Sequence, residues 1–458
     1  MNTPTIAAAA TGSGRSAIGI VRLSGPAAIS AASAVFTPAA GGSLADAPDR
    51  TLVYGVLRDQ EGQVIDRPLA TVSRAPHSYT GEDTAELQCH GSPAVLTMAL
   101  EALYAQGVQP APPGEFTKRA FLNGRMDLAQ AEAVADLIDA ETEACVHHAA
   151  GQLGGALSRR VEAIYSRLVD LMAHFHAVLD YPDEDIDPFG ARDIRQALAD
   201  AGQQLDGLLA TYQRGRLLSQ GVPCAIVGKP NAGKSSLLNA LLGYDRAIVT
   251  PIAGTTRDTI EERIKLGGVL LRLIDTAGLR EAADEVERIG VERSRAAVEQ
   301  AELVLVVLDC ARPLDEEDQA ALRLAQSAPH CILVHNKIDL PASAPATLPR
   351  LDPMPPVVEV SALTGEGLDE LELAIETLFL GKELDISGDL LTNARQADAA
   401  RRARESLERA GAALAAGVTP DAVLTDVEEA LSALGELTGK SVRSDITSRI
   451  FERFCVGK

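Results

Sequence analysis

Apolar and polar positions follow different rhythms along the chain, and each rhythm predicts a different architecture. Residues 1–120 mix the two. Ile18-Gly-Ile-Val-Arg-Leu-Ser24 predicts a strand, and an Ala-rich helical stretch follows it. Thr51 to Leu57 and Val64 to Ser73 predict a hairpin across Asp59-Gln-Glu-Gly62. Residues 126–180 and 191–218 place Leu128, Ala131, Val134, Leu137 and Ile138 at helical spacing, with Asp127 as the predicted cap. Between these helical stretches, Asp180-Tyr-Pro-Asp-Glu-Asp-Ile-Asp-Pro188 has two prolines and clustered acids, which predicts a solvated loop.

From Gly221 short apolar runs alternate with helical stretches, the mark of a parallel sheet. Strands are predicted at Cys224–Val227, Val269–Ile274, Leu303–Leu308, Cys331–His335 and Val357–Val360. Ile260–Leu266 and the run after Gly267-Gly268 predict a hairpin closed by the two glycines. From Leu384 the helical, Ala/Leu-rich pattern returns and continues to Lys458. The match between 126–218 and 384–458 predicts one helical domain interrupted by an α/β unit; separate helical modules are the alternative. The expected domains are 1–120, 121–220, 221–382 and 383–458.

The α/β unit carries the candidate chemistry. Gly228-Lys-Pro-Asn-Ala-Gly-Lys234-Ser235 follows an apolar strand and opens a helix, the context a phosphate loop requires. Its glycines let backbone N–H groups wrap phosphates, Lys234 supplies charge, and the Ser235 hydroxyl suits Mg²⁺. Asp275-Thr-Ala-Gly278 ends the next parallel strand, placed for Mg²⁺ and the γ-phosphate. A switch threonine in Thr255-Thr256-Arg257-Asp258 lies between the two. Asn336-Lys337-Ile338-Asp339 ends a later strand, where an Asp carboxylate accepts two hydrogen bonds from guanine but not from adenine. Ser361-Ala362 then forms a base-contacting loop. These elements, in this order and each at a strand end, define a guanine-nucleotide hydrolase.

Two details bear on mechanism. Where a small G protein carries a water-positioning Gln, this chain has Leu279, which cannot orient water. The acids Asp284, Glu285 and Glu287 offer a substitute, or form an exposed switch surface. Asn231 and the segment Thr250-Pro-Ile-Ala-Gly-Thr-Thr256 can ligate a monovalent cation; Asn231 can equally hold its own loop together.

Charge and composition change the picture in one respect. The 458 residues hold 42 Lys+Arg against 64 Asp+Glu, a net charge of −22, with no Trp and 3% aromatics. That excludes a broad basic face for coating nucleic acid and a base-stacking platform. By segment the balance is −2 for 1–120, −8 for 121–220, −9 for 221–382 and −3 for 383–458, so the chain ends are nearly neutral. Six scattered cysteines with no C-x-x-C pair fit neither a metal framework nor a disulfide scaffold. No signal peptide or long apolar run is evident, so a soluble cytoplasmic protein is expected.

The G region, with Gly228 to Asn239, Ile252-Ala-Gly-Thr-Thr-Arg-Asp258 and Asp275-Thr-Ala-Gly-Leu-Arg280, resembles the Era/TrmE class of TRAFAC GTPases. The flanks Pro113-Gly-Glu-Phe-Thr-Lys-Arg-Ala-Phe-Leu-Asn-Gly-Arg-Met-Asp-Leu128 and Phe454-Cys-Val-Gly-Lys458 resemble the MnmE (TrmE) family of tRNA modification GTPases, and the similarity runs from Thr5 to Lys458. The resemblance implies a multidomain α/β plus all-α protein. An N-terminal α/β domain would dimerise and bind 5-formyl-tetrahydrofolate or another tetrahydrofolate one-carbon derivative, and a helical domain would be interrupted by an inserted, Ras-like P-loop G domain. It further implies a homodimer working with the flavoprotein MnmG, as a heterotetramer, on C5 of the wobble uridine of certain tRNAs, with no membrane role. GTP hydrolysis would be potassium-stimulated and accompany pairing of G domains.

Carried over by motif, Asn231, Thr250, Ile252 and Thr255 would surround K⁺, and Ser235 with Thr256 would hold Mg²⁺. Glu287 matches the family's water-orienting glutamate, beside Lys234 as the catalytic lysine. GTP contacts are expected from Asn231, Ala232, Gly233, Lys234, Ser235, Ser236, Thr250, Pro251, Ile252, Ala253, Gly254, Thr255 and Thr256. Asp275, Thr276, Ala277, Gly278, Asn336, Lys337, Ile338, Asp339, Ser361, Ala362 and Leu363 complete that set. Folate contacts fall on Arg22, Glu86, Arg125 and Lys458; an ordinary surface ion pair is the alternative for Arg22 and Arg125. Cys455 matches a cysteine suggested to take part in the modification chemistry, with a prenylation box or simple burial as rivals. Thr11-Gly-Ser-Gly-Arg15 lacks the family's usual prolines, and Arg125 stands where Lys is common. Two other functions compete: an Era- or Der-like ribosome-assembly GTPase, and a folate-dependent aminomethyltransferase with a regulatory G domain.

Overall fold

In a computed structural model of the chain, the described residues are 3–12, 14–180, 191–244, 262–274, 295–341, 353–380, 388–418, 420–440, 454–455 and 457. They form two compact units, Met1–Ala135 with Leu153–Ala201 and Arg402–Lys458, and Asp136–Gln152 with Gly202–Arg401. Among the described residues no helix is long and apolar enough to cross a membrane.

In the first unit, β1 (Ile6–Ala9), β2 (Ile18–Ser24), β3 (Phe36–Pro38), β4 (Val53–Arg58), β5 (Val64–Asp66), β6 (Leu69–Ser73), β7 (Thr84–His90) and β8 (Gln109–Pro110) make one sheet, in the order β3-β4-β6-β7-β2-β1-β8 with β5 on β4. Strict alternation fixes which face is buried. Val21, Leu23, Ala85, Leu87 and Cys89 point into a core under α1 (Ala28–Val35) and α2 (Pro93–Tyr104). Arg22 and Glu86, one step out of phase, therefore lie on the other face. They are direct partners in the antiparallel β2–β7 register.

The expected hairpin needs one correction. β4 and β5 do pair across the Asp59–Gly62 turn, but Val64–Ser73 is two strands rather than one. Pro68 has no N–H to give a ladder, and the run breaks there; only its carbonyl is used, accepting from the Gly55 N–H at 3.2 Å.

Helices α3 (Glu115–Leu122), α4 (Leu128–Ile138), α5 (Glu143–Leu153), α6 (Ala156–Asp180), α7 (Ala191–Leu209) and α8 (Tyr212–Gln220) follow. Asp127 caps α4 as expected. Its Oδ1 accepts from the Gln130 N–H at 2.9 Å, while Gln130 Oε1 accepts from the Asp127 N–H at 3.0 Å, a reciprocal capping box. The Asp180–Pro188 loop lies outside the described residues beyond Asp180.

The second unit holds β9 (Val222–Val227), β10 (Glu262–Leu266), β11 (Val269–Leu273), β12 (Leu303–Asp309), β13 (His330–Asn336) and β14 (Val357–Val360) in the order β10-β11-β9-β12-β13-β14, parallel except for the β10–β11 hairpin. Its helices include α9 (Lys234–Tyr244), α10 (Glu316–Ala325) and α11 (Leu368–Phe379); α12 (Ala394–Ala415) and α13 (Pro420–Thr438) end the described helices. β12 shows why its sequence is an unbroken apolar run. Leu303, Leu305 and Val307 pack into the core beside α9 and α11, and Val304, Val306 and Leu308 into the core beside α10. A strand buried on both faces has no polar alternate. The carboxyl ends of β9, β12, β13 and β14 lie side by side, the edge at which open parallel sheets bind ligands.

Candidate functional site

The phosphate loop joins β9 to α9, and its backbone adopts conformations that its sequence was chosen to permit. Gly228 has φ +149°, and a Cβ there would lie 2.4 Å from the Val307 carbonyl oxygen. Gly233 has φ +100°, and a Cβ there would lie 2.0 Å from Asn336 Nδ2. Asn231 is left-handed at φ +62°, a conformation Asn tolerates better than most residues. The Lys234 ammonium donates to the carbonyl oxygens of Gly228 at 2.8 Å and Lys229 at 2.9 Å. Burial pushes its pKa below the usual lysine range, and a polyphosphate beside it would favour the charged form again. Ser235 and Ser236 are exposed on the first turn of α9.

The Asn336-Lys337-Ile338-Asp339 loop is tied to this one by side chains. Asn336, 1% exposed at the end of β13, donates from Nδ2 to the Ala232 carbonyl at 2.9 Å and accepts at Oδ1 from the Ala362 N–H at 3.0 Å. It thus joins the phosphate loop to the Ser361-Ala362 loop. Lys337, left-handed at φ +73°, donates to the Asn231 carbonyl and to Asp309 Oδ2, both at 2.7 Å. Asp339 is exposed, with its Oδ1 accepting from the fully buried Ser361 hydroxyl at 2.7 Å. That bond fixes one carboxylate oxygen of an otherwise exposed side chain. Ile338 donates its N–H to the Val360 carbonyl at 3.3 Å, and Leu363 is 84% exposed.

Asp309 was absent from the expected set. It sits at the end of β12, 6% exposed, and its Oδ1 also accepts from the Ala311 N–H at 3.0 Å. Burial pushes its carboxyl up, but hydrogen bonds from Lys337 and Ala311 and the charges of Lys337 and Arg312 outweigh it and hold the pKa below the usual range. Lys229 is a second omission: its ammonium reaches Asp315 at 2.9 Å and Asp318 at 2.7 Å. The available signals were an acid closing the Leu303–Leu308 run and the Asp-x-x-Asp pattern of a helix start.

Thr250, Pro251, Ile252, Ala253, Gly254, Thr255, Thr256, Asp275, Thr276, Ala277, Gly278 and Glu287 lie outside the described residues, as does Lys458.

A second constellation occupies the first unit. Arg22 Nε donates to Glu86 Oε1 at 2.8 Å, and its Nη1 to the Gly457 carbonyl at 3.3 Å. Its guanidinium lies 5.7 Å from the Tyr79 ring centre and 5.8 Å from that of Phe116, within cation–π range. Arg22 and Glu86 do form an ion pair, but one partly enclosed by aromatic rings and chain-terminal backbone. Arg125 is exposed beside Gly81, where an added Cβ would meet its side chain at 3.3 Å. Phe454 is buried against Ala131 and Val134, and the Cys455 carbonyl accepts from the Gly114 N–H at 3.3 Å. The Cys455 side chain is exposed, which removes simple burial as its explanation.

Comparison with known proteins decides the family. Residues 5–125 match the family described as the GTP-binding protein TrmE N-terminus, and residues 128–455 match the MnmE helical domain. The tRNA modification GTPase MnmE of Roseiflexus sp. (strain RS-1) is 46% identical over 463 residues, covering 99% of each chain. This chain belongs to the MnmE family of tRNA modification GTPases. The Thermus thermophilus MnmE is 46% identical with 99% of each chain covered, and that of Symbiobacterium thermophilum 46% with 100% of each. Among solved structures, the G domain of the T. maritima FeoB iron transporter is 29% identical, covering 34% of this chain and 96% of that one at a TM-score of 0.24. As a member of the MnmE family the chain is a GTP-hydrolysing enzyme of tRNA modification, a multidomain protein of α/β and helical parts.

Proposed function

We propose that this chain is a potassium-activated GTPase that, with an MnmG-type flavoprotein, installs an aminomethyl or carboxymethylaminomethyl group on C5 of the wobble uridine (position 34) of certain tRNAs. The one-carbon unit comes from a tetrahydrofolate derivative, 5-formyl-tetrahydrofolate or a close relative. The chain works as a cytoplasmic homodimer, in a heterotetramer with the flavoprotein. Residues 221–382 are the G domain, inserted between helical parts 121–220 and 383–458, and residues 1–120 dimerise and bind folate.

The observation that carries the nucleotide part is the linkage of the two loops: Asn336 and Lys337 hold the phosphate loop by the carbonyls of Ala232 and Asn231. Guanine placement at Asp339 and phosphate placement at Lys234 are thereby one rigid problem. The donor set also suits the cations. The exposed Ser235 hydroxyl, on the turn after Lys234, fits Mg²⁺ with Thr256, and Asn231, whose carbonyl is already engaged by Lys337, keeps its side-chain oxygen for K⁺ with Thr250, Ile252 and Thr255. Mg²⁺ and K⁺, when bound, offset charge on the phosphates as bond cleavage proceeds. Lys234 exchanges the Gly228 and Lys229 carbonyls for phosphate oxygens, and Glu287 orients the attacking water that Leu279 cannot. Hydrolysis yields GDP and phosphate and is coupled to pairing of two G domains.

Support for folate at the first unit is the partly enclosed Arg22, with carboxylate, aromatic and chain-terminal neighbours. An anionic, planar, aromatic ligand matches such a set; Arg125, Glu86 and Lys458 complete it, and Cys455 stands exposed beside it as the candidate for the modification chemistry. The chain carries no flavin or nicotinamide fingerprint, so the redox step falls to the partner. Its net charge of −22 leaves most phosphate binding to that partner too. Nucleoside analysis of tRNA from cells lacking the protein is the deciding experiment. Loss of the C5 modification at the wobble uridine is expected, and an unchanged wobble uridine would point instead to ribosome assembly or a free-standing folate enzyme.

A further inference from the structure

The phosphate loop is held at two places, and the recognised motifs account for only one of them. Asn336 and Lys337 fasten its rear half, at the carbonyls of Ala232 and Asn231. In its front half, the Gly228 and Lys229 carbonyls accept nothing from those two side chains. Here both carbonyls accept from the Lys234 ammonium, and that is the group GTP must draw away. The Lys229 carbonyl also accepts from the Ala232 N–H at 3.3 Å, a bond within the loop itself; a front half that otherwise rested on Lys234 would lose its strongest support at the moment of binding.

The Lys229 side chain leaves the loop in another direction. Its stem and ammonium are 8% exposed, and the ammonium pairs with Asp318 Oδ2 at 2.7 Å and Asp315 Oδ2 at 2.9 Å, at the start of α10. The two acids are themselves locked. Asp315 Oδ1 accepts from the N–H groups of Glu317 and Asp318, and Asp318 Oδ2 accepts from the Asp315 N–H at 3.1 Å, a complete capping box. Helix α10 is anchored to the sheet by Leu322 and Ala325 in its core. The Asp318 side chain is 1% exposed, and its Oδ1 has no hydrogen-bond partner among the described residues. Its charge is thus answered by Lys229, a geometry in which loss of one partner is costly. The pairing also raises the Lys229 pKa despite opposing burial, and the Lys229 hydrogen bond draws Asp315 down to about 2, so the Lys229–Asp315 pair stays charged at ordinary pH.

We propose that Lys229, Asp315 and Asp318 are positioning residues for the GTPase reaction: a brace from the α10 capping box to the front of the phosphate loop that keeps its curvature when Lys234 turns to the nucleotide. The brace touches no reacting atom. Its effect appears in nucleotide affinity, because the loop must be ordered before phosphates bind, and not in the chemical step at saturation.

The test uses the full-length protein, with GDP affinity read by fluorescent-nucleotide titration and GTP turnover read as kcat and KM separately. Lys229→Met is expected to weaken GDP binding and raise KM for GTP by about tenfold or more, within the usual range of coupling between sites, with kcat close to that of the parent. Lys229→Arg should restore affinity, since it keeps the charge and reach. Asp318→Asn is the second variant: Asn can still accept the capping bond, so α10 is retained while the buried half of the ion pair is lost and only the exposed Asp315 still faces Lys229, and it should weaken nucleotide affinity measurably even where Lys229→Met fails to fold. Parent-like affinity in Asp318→Asn, a fall in kcat without a change in affinity, or an Arg variant as weak as Met would each overturn the brace.

Discussion

Gly233→Ala is the most direct test of whether the two nucleotide loops form one object. The new Cβ would stand 2.0 Å from Asn336 Nδ2 and 3.4 Å from its Cγ, and the residue would keep a φ of +100° that L side chains rarely adopt. The backbone term is about 1–2 kcal/mol. Asn336 is 1% exposed and has nowhere to swing without giving up its bonds to Ala232 and Ala362, each worth about 1 kcal/mol net, more if a buried polar group is left unsatisfied. The total is roughly 3–5 kcal/mol, borne by loop geometry. If about 3 kcal/mol of it reaches nucleotide binding, affinity falls by about a hundredfold. Fluorescent-GDP titration measures that, and a double-mutant cycle with Asn336→Ala assigns the cause. With Asn336 truncated the clash is gone, so the Gly233→Ala penalty should shrink toward the backbone term. An equal penalty in both backgrounds, or GDP binding by Gly233→Ala within a few-fold of the parent, would refute this coupling.

Replacing KCl by NaCl should lower GTP turnover strongly at constant ionic strength; equal rates would take the cation role from Asn231. Glu287→Ala should abolish hydrolysis while leaving GDP affinity near the parent value, and undiminished turnover would make Glu287 a surface acid. Asp309 has a folded pKa below its unfolded value near 3.8, so its contribution is present above that pH and is lost as pH falls through the depressed folded value. The stability gap between parent and Asp309→Asn in urea should therefore hold from neutral pH down to about 3.8 and narrow as pH falls below it; a gap unchanged below that pH would contradict the ion pair. Arg119, 3% exposed, pairs with Glu82 at 2.9 Å and Glu115 at 3.2 Å and donates to the Pro4 and Ser24 carbonyls. Arg119→Met removes the buried charge facing two partly exposed carboxylates, which keep only the Ser24 hydroxyl and Lys118 as partners among the described residues, and should cost about 3 kcal/mol, seen as a lowered calorimetric melting temperature; an unshifted melt would refute the stabilising role of the Arg119 ion pairs.

What could be read from sequence, and what could not, divides by the range over which the deciding interaction acts. Val222 to Val227, Leu303 to Asp309 and the Asp127–Gln130 cap are decided by neighbours within a few residues, and each was predicted within two residues of its observed bounds. The run Val64–Ser73 failed at a single atom. Its apolar pattern continues past Arg67-Pro68, but the ladder needs an N–H that proline lacks, and β6 instead turns to a second partner, β7, whose strand begins eleven residues after β6 ends. The same division runs through the candidate site. Gly228, Gly233, Lys234, Asn336 and Asp339 are legible because loop chemistry forces residue type at fixed spacing. Asp309 and Asp318 are not, because each is defined by a lysine 28 or 89 residues away. An acid at the end of a strand, or in the first turn of a helix, has an ordinary local reason to be there, and only the fold shows that Lys337 and Lys229 lean on these two. The residues that sequence motifs miss are thus the ones that support the motif residues from outside the loop, and the Lys229 brace follows from asking what holds a phosphate loop once its own lysine has been called to the ligand.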